Sequence, residues 1–204
     1  MSRGRFIVFE GGEGVGKSTQ AARLADRLGA VLTRQPGGTA IGAGLRRLLL
    51  DPSTQALSVR AEALLMAADR AQHRVELIEP SLAAGRHVVC DRYTYSSVAY
   101  QGYGRGLDCD EVREMSAWAT EEQWPDLVIL LDLDPEIAAQ RLSGTPDRFE
   151  SADAAFHRRV REGFLAMAVQ EPSRWLVLDA ARSADDLADE IASHVDAALE
   201  GLQR

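Results

Sequence analysis

Residues 11–18, Gly11-Gly12-Glu13-Gly14-Val15-Gly16-Lys17-Ser18, stand between an apolar run, Phe6-Ile7-Val8-Phe9, and a stretch rich in alanine and leucine. That order fits a sharp turn from a strand into a helix. The spacing is G-x-x-x-x-G-K-[ST], in which the glycines let successive backbone N–H groups turn inward on a polyphosphate and the helix N-terminus adds a favourable dipole. Gly11, Gly12, Gly14, Val15 and Gly16 therefore form a backbone cradle that Thr19 carries into the helix, with Lys17 as its cation and Ser18 as a hydroxyl suited to Mg²⁺. The pattern implies an ATP or GTP site; the competing reading is a glycine-rich turn that holds no nucleotide.

A cradle of this kind belongs at the end of a parallel strand, and the rest of the chain repeats the pattern of short apolar run and helical stretch. The apolar runs predict strands at residues 6–9, 30–33, 87–90, 127–132 and 175–178. The expected fold is a doubly wound α/β domain, a five-stranded parallel sheet flanked by helices, covering residues 1–204. Glycines 102, 104 and 106 break residues 93–122 into two helices and a loop. Leu187, Ile191, Val195 and Leu199 recur every fourth residue, with Asp185, Asp186, Asp189 and Glu190 placed early, so a C-terminal helix should dock on the sheet. The insert Ser143-Gly144-Thr145-Pro146-Asp147 falls between helical residues 136–142 and a helix beginning near Ala152, which predicts a mobile lid at about residues 141–151.

Charge and cysteine content narrow the partners. Acids outnumber bases 31 to 23, a net charge of −8 that repels nucleic acid and anionic membranes. The two cysteines, Cys90 and Cys109, are too few for a disulfide framework or a four-ligand zinc site. No apolar stretch reaches the ~18 residues of a membrane span, and the N-terminus lacks a signal-peptide layout, so the expectation is a cytoplasmic protein.

Four further features place chemistry around the cradle. Asp91 and Arg92 follow the third strand at its carboxyl end, where open α/β sheets bind ligands; the guanidinium can clamp phosphates and Asp91 can order Mg²⁺ waters or act as a weak base. The alternative is a structural ion pair. Ser97, Tyr100 and Gln101 share a helix face with hydroxyl and amide groups at base-reading range, against the reading of a polar face around a packed tyrosine. Met66 and Arg70 lie one turn apart, able to reach one pocket, with Met66 equally suited to filling a core. Arg141 and Arg148 flank the glycine-proline insert, where a moving segment could deliver positive charge to a transferring phosphoryl group; the bland reading is two solvated arginines.

The segments Phe9 through Thr19, Thr33-Arg34-Gln35-Pro36-Gly37-Gly38-Thr39, Ala68-Asp69-Arg70-Ala71-Gln72-His73 and Asp91-Arg92-Tyr93 through Tyr100-Gln101-Gly102 together resemble the thymidylate kinase family, in order and spacing. The resemblance runs from Phe6 to the C-terminal helix. It implies transfer of the γ-phosphoryl of Mg-ATP to dTMP, giving dTDP on the way to dTTP, by a homodimer. It places Glu13 at the sugar and phosphate of dTMP, Arg34, Pro36 and Arg92 around the acceptor, and Arg70 on a thymine carbonyl. Ser97, Tyr100 and Gln101 then surround the thymine and deoxyribose. On the donor side it implies Arg148 for phosphate, Arg141 for the adenine face and backbone at Ala180 for the adenine edge. This chain departs from the family pattern at three positions: Met66 replaces a phenylalanine, Gln35 a glutamate, and Gly14 an arginine of some members. The rival readings are a kinase for another nucleoside monophosphate or a deoxynucleoside, and a regulatory ATP-binding protein without catalysis.

Overall fold

A computed structural model describes residues 2–54 and 57–201. Its core is one sheet of β1 (Phe6–Glu10), β2 (Val31–Arg34), β3 (Val88–Asp91), β4 (Leu127–Asp132) and β5 (Trp175–Asp179), all parallel in the order β2-β3-β1-β4-β5. The helices are α1 (Lys17–Leu28), α2 (Ala40–Leu50), α3 (Val59–His73), α4 (Glu79–Ala83), α5 (Thr94–Ser97), α6 (Cys109–Ala119), α7 (Pro135–Ala139), α8 (Ala154–Gln170) and α9 (Ala184–Gly201). π-helical turns at Arg74–Ile78 and Val98–Gly104 join α3 to α4 and extend α5.

Strand side chains alternate between two helical layers, as the period of a strand demands. Ile7, Phe9, Val89, Ile129 and Leu131 face Leu24 of α1 and Leu187, Ile191 and Val195 of α9. Val128, Leu130 and Trp175 meet Tyr95, Tyr100, Phe156 and Phe164 on the other face, beside a group of Phe6, Val8, Val88, Cys90, Ile78 and Leu82. The C-terminal helix docks as its four-residue period predicts, with Leu199 packed at the edge.

Four strands end later than the apolar runs suggest, because a polar residue continues the ladder. Glu10, Arg34, Asp91 and Asp179 thus join Asp132 as the last residues of the strands, so every carboxyl end carries an ionisable side chain. β1 and β3 are neighbours whose connections leave toward opposite edges of the sheet, which opens a crevice at their ends.

Three local expectations change. The two helices and loop expected over residues 93–122 are present, with Gly106 in the loop at a φ of 81°. Gly102 and Gly104, however, lie inside the first helical run, where a Cβ would meet Cys109 Sγ at 2.8 Å or Phe156 Cε2 at 2.6 Å, so they permit close packing. The helix after β4 is shorter than residues 136–142, ending at Ala139. The helix expected near Ala152 starts at Ala154, because Asp153 caps it by accepting from Phe156 N at 2.7 Å. Both cysteines are free, Cys90 buried and Cys109 partly exposed. Among the described residues, no helix is long and apolar enough to cross a membrane.

Candidate active site

The turn after β1 is built for an anion. Gly11, Gly14 and Gly16 take positive φ of 139°, 70° and 95°, and no side chain caps α1, so its first N–H groups remain directed at the loop. Lys17 Nζ donates to the Gly12 carbonyl within the loop. Burial, with the Arg92 charge next to it, brings the Lys17 amine down to about 8. Ser18 Oγ donates to Asp91 Oδ2 at 2.5 Å, bringing a hydroxyl and a carboxylate together at the joint of β1 and β3. No cluster of three or more His, Cys, Asp or Glu that could enclose a metal exists among the described residues. Two hard oxygen donors with open surroundings fit Mg²⁺, which keeps most of its coordination for water and phosphate.

Arg92 is the hinge of the site. Its φ is 71°, a strained value for a residue with a Cβ, and its backbone N–H is fixed by the Phe9 carbonyl at 2.9 Å. The guanidinium bonds the Gly11 carbonyl at 2.8 Å, Glu13 Oε1 at 2.7 Å and Ser96 Oγ at 3.3 Å, and lies 5.0 Å from the Tyr100 ring centroid. Glu13 therefore turns back into the site, where Tyr100 OH also donates to Oε1 at 2.7 Å. Burial alone would raise the Glu13 carboxyl; the Arg92 and Lys17 charges overcome it and hold the group down at about 2, fully ionised.

Two grooves meet at this hinge. One is lined by the cradle and by Lys17, Ser18, Thr19, Arg34, Asp91 and Leu142. The second is lined by Pro36, Met66, Arg70, Ser97, Tyr100, Gln101 and Phe149. Glu13, Gln35, Arg46, Arg92 and Asp147 belong to both. Arg70, fully buried, donates to Gln35 Oε1 at 2.9 Å, Ser116 Oγ at 3.0 Å and Ser97 Oγ at 2.8 Å. Gln35 also donates from Nε2 to Asp69 Oδ2 at 3.3 Å, so its side chain lies between a cation and an acid. An amide serves both partners; a glutamate would set two carboxylates together. Gln35 thus faces inward to Arg70, while Arg34 lines the cradle groove and is exposed.

Arg141 Nη1 donates to the Ala180 carbonyl at 2.9 Å, which joins the two residues named for the adenine side. Arg148 is not brought to the cradle. Its Nη1 pairs with Glu62 Oε2 at 2.5 Å and its Nε donates to the Leu49 carbonyl at 2.8 Å, on the far side of the second groove. The buried Glu62 carboxylate holds the guanidinium there. Gly14 carries no side chain because a Cβ would lie 2.5 Å from the Ala138 carbonyl of α7.

Sequence reasoning missed Glu10, Arg46, Glu62, Asp147 and Phe149. Glu10 accepts from Tyr93 N, Ser96 N and Ser96 Oγ, fixing the turn that carries Arg92. Glu62 was signalled by spacing: with Met66, Asp69, Arg70 and His73 it forms a buried helical stripe on α3. Arg46 had no local signal; Asp147 and Phe149 fall in the expected lid segment, but only the tertiary fold brings them to the grooves.

Comparison with known proteins agrees with this geometry. The thymidylate kinase family model matches residues 9–191. Thymidylate kinase of Deinococcus radiodurans is 50% identical over 94% of this chain and 96% of its own. That of Chromobacterium violaceum is 48% identical over 98% and 97%. The crystal structure of thymidylate kinase from Ehrlichia chaffeensis superposes with a TM-score of 0.79 at 32% identity, covering 95% of this chain and 99% of that one. With a match that spans the sheet, the cradle and both grooves, the chain belongs to the thymidylate kinase family of phosphotransferases.

Proposed function

We propose that the protein transfers the γ-phosphoryl of Mg-ATP to dTMP, yielding dTDP and ADP by in-line displacement without a covalent intermediate. The observation that carries this reading is the meeting at Arg92 of a phosphate cradle and a pocket of mixed polar and apolar lining, an arrangement that lets donor and acceptor phosphates converge. Backbone N–H groups of the loop and Lys17 hold the donor phosphates, while Arg141 and the backbone at Ala180 bound the adenine. Ser18 and Asp91 hold Mg²⁺, which when bound neutralises charge on the donor phosphates. Arg70, Ser97 and Gln101 supply hydrogen bonds to a pyrimidine edge, and Met66 and Pro36 give it apolar contact. Glu13 and Tyr100 form a hydrogen-bonded pair beside the sugar, and the tyrosine ring occupies space a 2′-hydroxyl would need.

Catalysis here is positioning plus positive charge on the transferring group. Arg92 serves the acceptor phosphate and the transition state, with Arg34 and Arg46 on the groove wall. Residues 141–151 act as the lid, and we assign Arg148 to anchoring it, since the guanidinium is engaged by Glu62. Leu64, Val75 and Trp118, 60%, 61% and 83% exposed on α3, its continuation and the adjacent α6, support a homodimer through this apolar surface. Two free thiols suit the reducing cytoplasm.

The test is ADP release measured with dTMP, dUMP, dCMP, AMP and thymidine in parallel. Preferred turnover of dTMP is expected; faster turnover of AMP or dCMP, or ATP binding without transfer to any acceptor, rejects the assignment.

A further inference from the structure

Of the buried carboxylates Glu10, Asp69 and Glu62, the first two fix local turns, and Glu62 joins distant segments. Glu62 is 1% exposed, and groups from two segments face it, Gln101 and Arg105 from the helical run after α5 and Arg148 from the segment before α8. Its Oε1 accepts from Gln101 Nε2 at 2.9 Å and lies 3.5 Å from Arg105 Nε; its Oε2 pairs with Arg148 Nη1 at 2.5 Å. Arg148 is tied again to the end of α2, through Nε to the Leu49 carbonyl at 2.8 Å and through its backbone N–H to the Leu50 carbonyl at 3.1 Å. Its guanidinium also lies 4.7 Å from the Phe149 ring centroid. The residues on either side of Arg148 are thereby set in the wall of the acceptor pocket. Asp147 lines it, and Phe149 meets Tyr100 edge-on at 5.7 Å.

We infer that Glu62 is a positioning residue that couples acceptor recognition to residues 141–151, holding Gln101 of the acceptor pocket with one oxygen and Arg148 with the other. The inference rests on the proposed dTMP site. Loss of the Arg148 pair leaves Glu62 only the longer Arg105 contact and strands a largely buried guanidinium, which favours keeping the carboxylate, Gln101 and Arg148 together. Coupling is reciprocal: a segment that completes the acceptor pocket is itself ordered by the acceptor, by the same factor. Arg141, at the other end of the segment, is held separately by the Ala180 carbonyl at 2.9 Å, so the adenine side does not draw on the Glu62 contact.

The experiment is hydrogen exchange of residues 141–152 with and without dTMP, beside steady-state kinetics, for the parent, Glu62→Gln and Arg148→Met. The Glu62→Gln change keeps an oxygen acceptor for Gln101 but drops the charge that holds Arg148. In the parent, dTMP is expected to slow exchange in the segment by about 10-fold, a common size for coupling between sites. In Glu62→Gln that protection disappears and the KM for dTMP rises by about the same factor, with the KM for ATP unchanged. Arg148→Met leaves Glu62 beside Arg105 and loses the protection too, which keeps the test decisive if Glu62→Gln does not fold. A parent that phosphorylates dTMP while a folded variant retains protection, or weakens for ATP and dTMP equally, overturns the coupling and leaves the function standing. A parent that turns over a different monophosphate, whose binding protects the segment, overturns the substrate assignment and supports the coupling.

Discussion

Lys17 shows how the fold loads a single residue. The loop encloses the ammonium against its own carbonyl and beside Arg92, and burial with that neighbouring charge brings it to about 8. The depressed value means that the empty site begins to lose the cation just above neutral pH, whereas bound polyphosphate favours the charged form and raises the value again. ATP binding should therefore take up a proton at pH 8.5, and affinity should fall as pH rises past 8, by up to ~10-fold per unit. Calorimetry from pH 7 to 9 in buffers of different ionisation enthalpy reads both effects; Lys17→Ala should abolish the pH dependence and cut turnover severely while leaving the fold intact. Met66 is the second residue to probe. It is 8% exposed in the acceptor pocket with Leu50, Tyr100 and Phe149, and a thioether contacts a base without stacking on it. Met66→Phe should tighten dTMP by about 0.5 to 1.5 kcal/mol in titration, the usual worth of an offset aromatic pair. Unchanged affinity with unchanged stability would make Met66 core filler.

Among elements, the loop and the short helix α7 are packed so closely that side-chain volume between them is excluded. Gly14 and Gly16 share the positive φ that strains any residue with a Cβ, but they differ in surroundings. A Cβ at Gly14 meets the Ala138 carbonyl at 2.5 Å and Leu142 Cδ2 at 3.4 Å, whereas a Cβ at Gly16 meets nothing within 4 Å. Each alanine substitution should cost about 1–3 kcal/mol for the backbone alone. Gly14→Ala should exceed Gly16→Ala in denaturant unfolding, because only it also displaces α7. Equal losses would mean that α7 gives way freely and that an arginine at position 14 is excluded by backbone strain alone. The same contact explains why this chain places its cations on the groove wall, at Arg34, Arg46 and Arg92, rather than at the loop tip.

At the scale of the whole molecule, the exposed Leu64, Val75 and Trp118 make the assembly testable. Trp118→Glu should convert a dimer to a monomer in sedimentation, with the circular dichroism of the fold preserved; a parent that already sediments as a monomer removes the dimer. Much of this molecule was legible in the linear chain. The cradle, the five strands and the docked C-terminal helix depend on local patterns: glycine spacing, apolar runs and a period near four. The positions of Asp91 and Arg92 at a strand end followed from the same patterns, as did the shared helix face of Ser97, Tyr100 and Gln101. What lay outside that reach depended on contacts between distant segments. Gln35 turns to Arg70 and Asp69 because the loop after β2 packs on α3. Arg148 is taken by Glu62, 86 positions earlier, and carries Phe149 into a pocket whose other walls come from the loop after β2, α2, α3 and the helix after β3. Local propensity and periodicity are encoded in neighbouring residues and survive in the sequence alone; the partner of a buried charge is decided by which elements the hydrophobic core brings together, and only the tertiary structure states it.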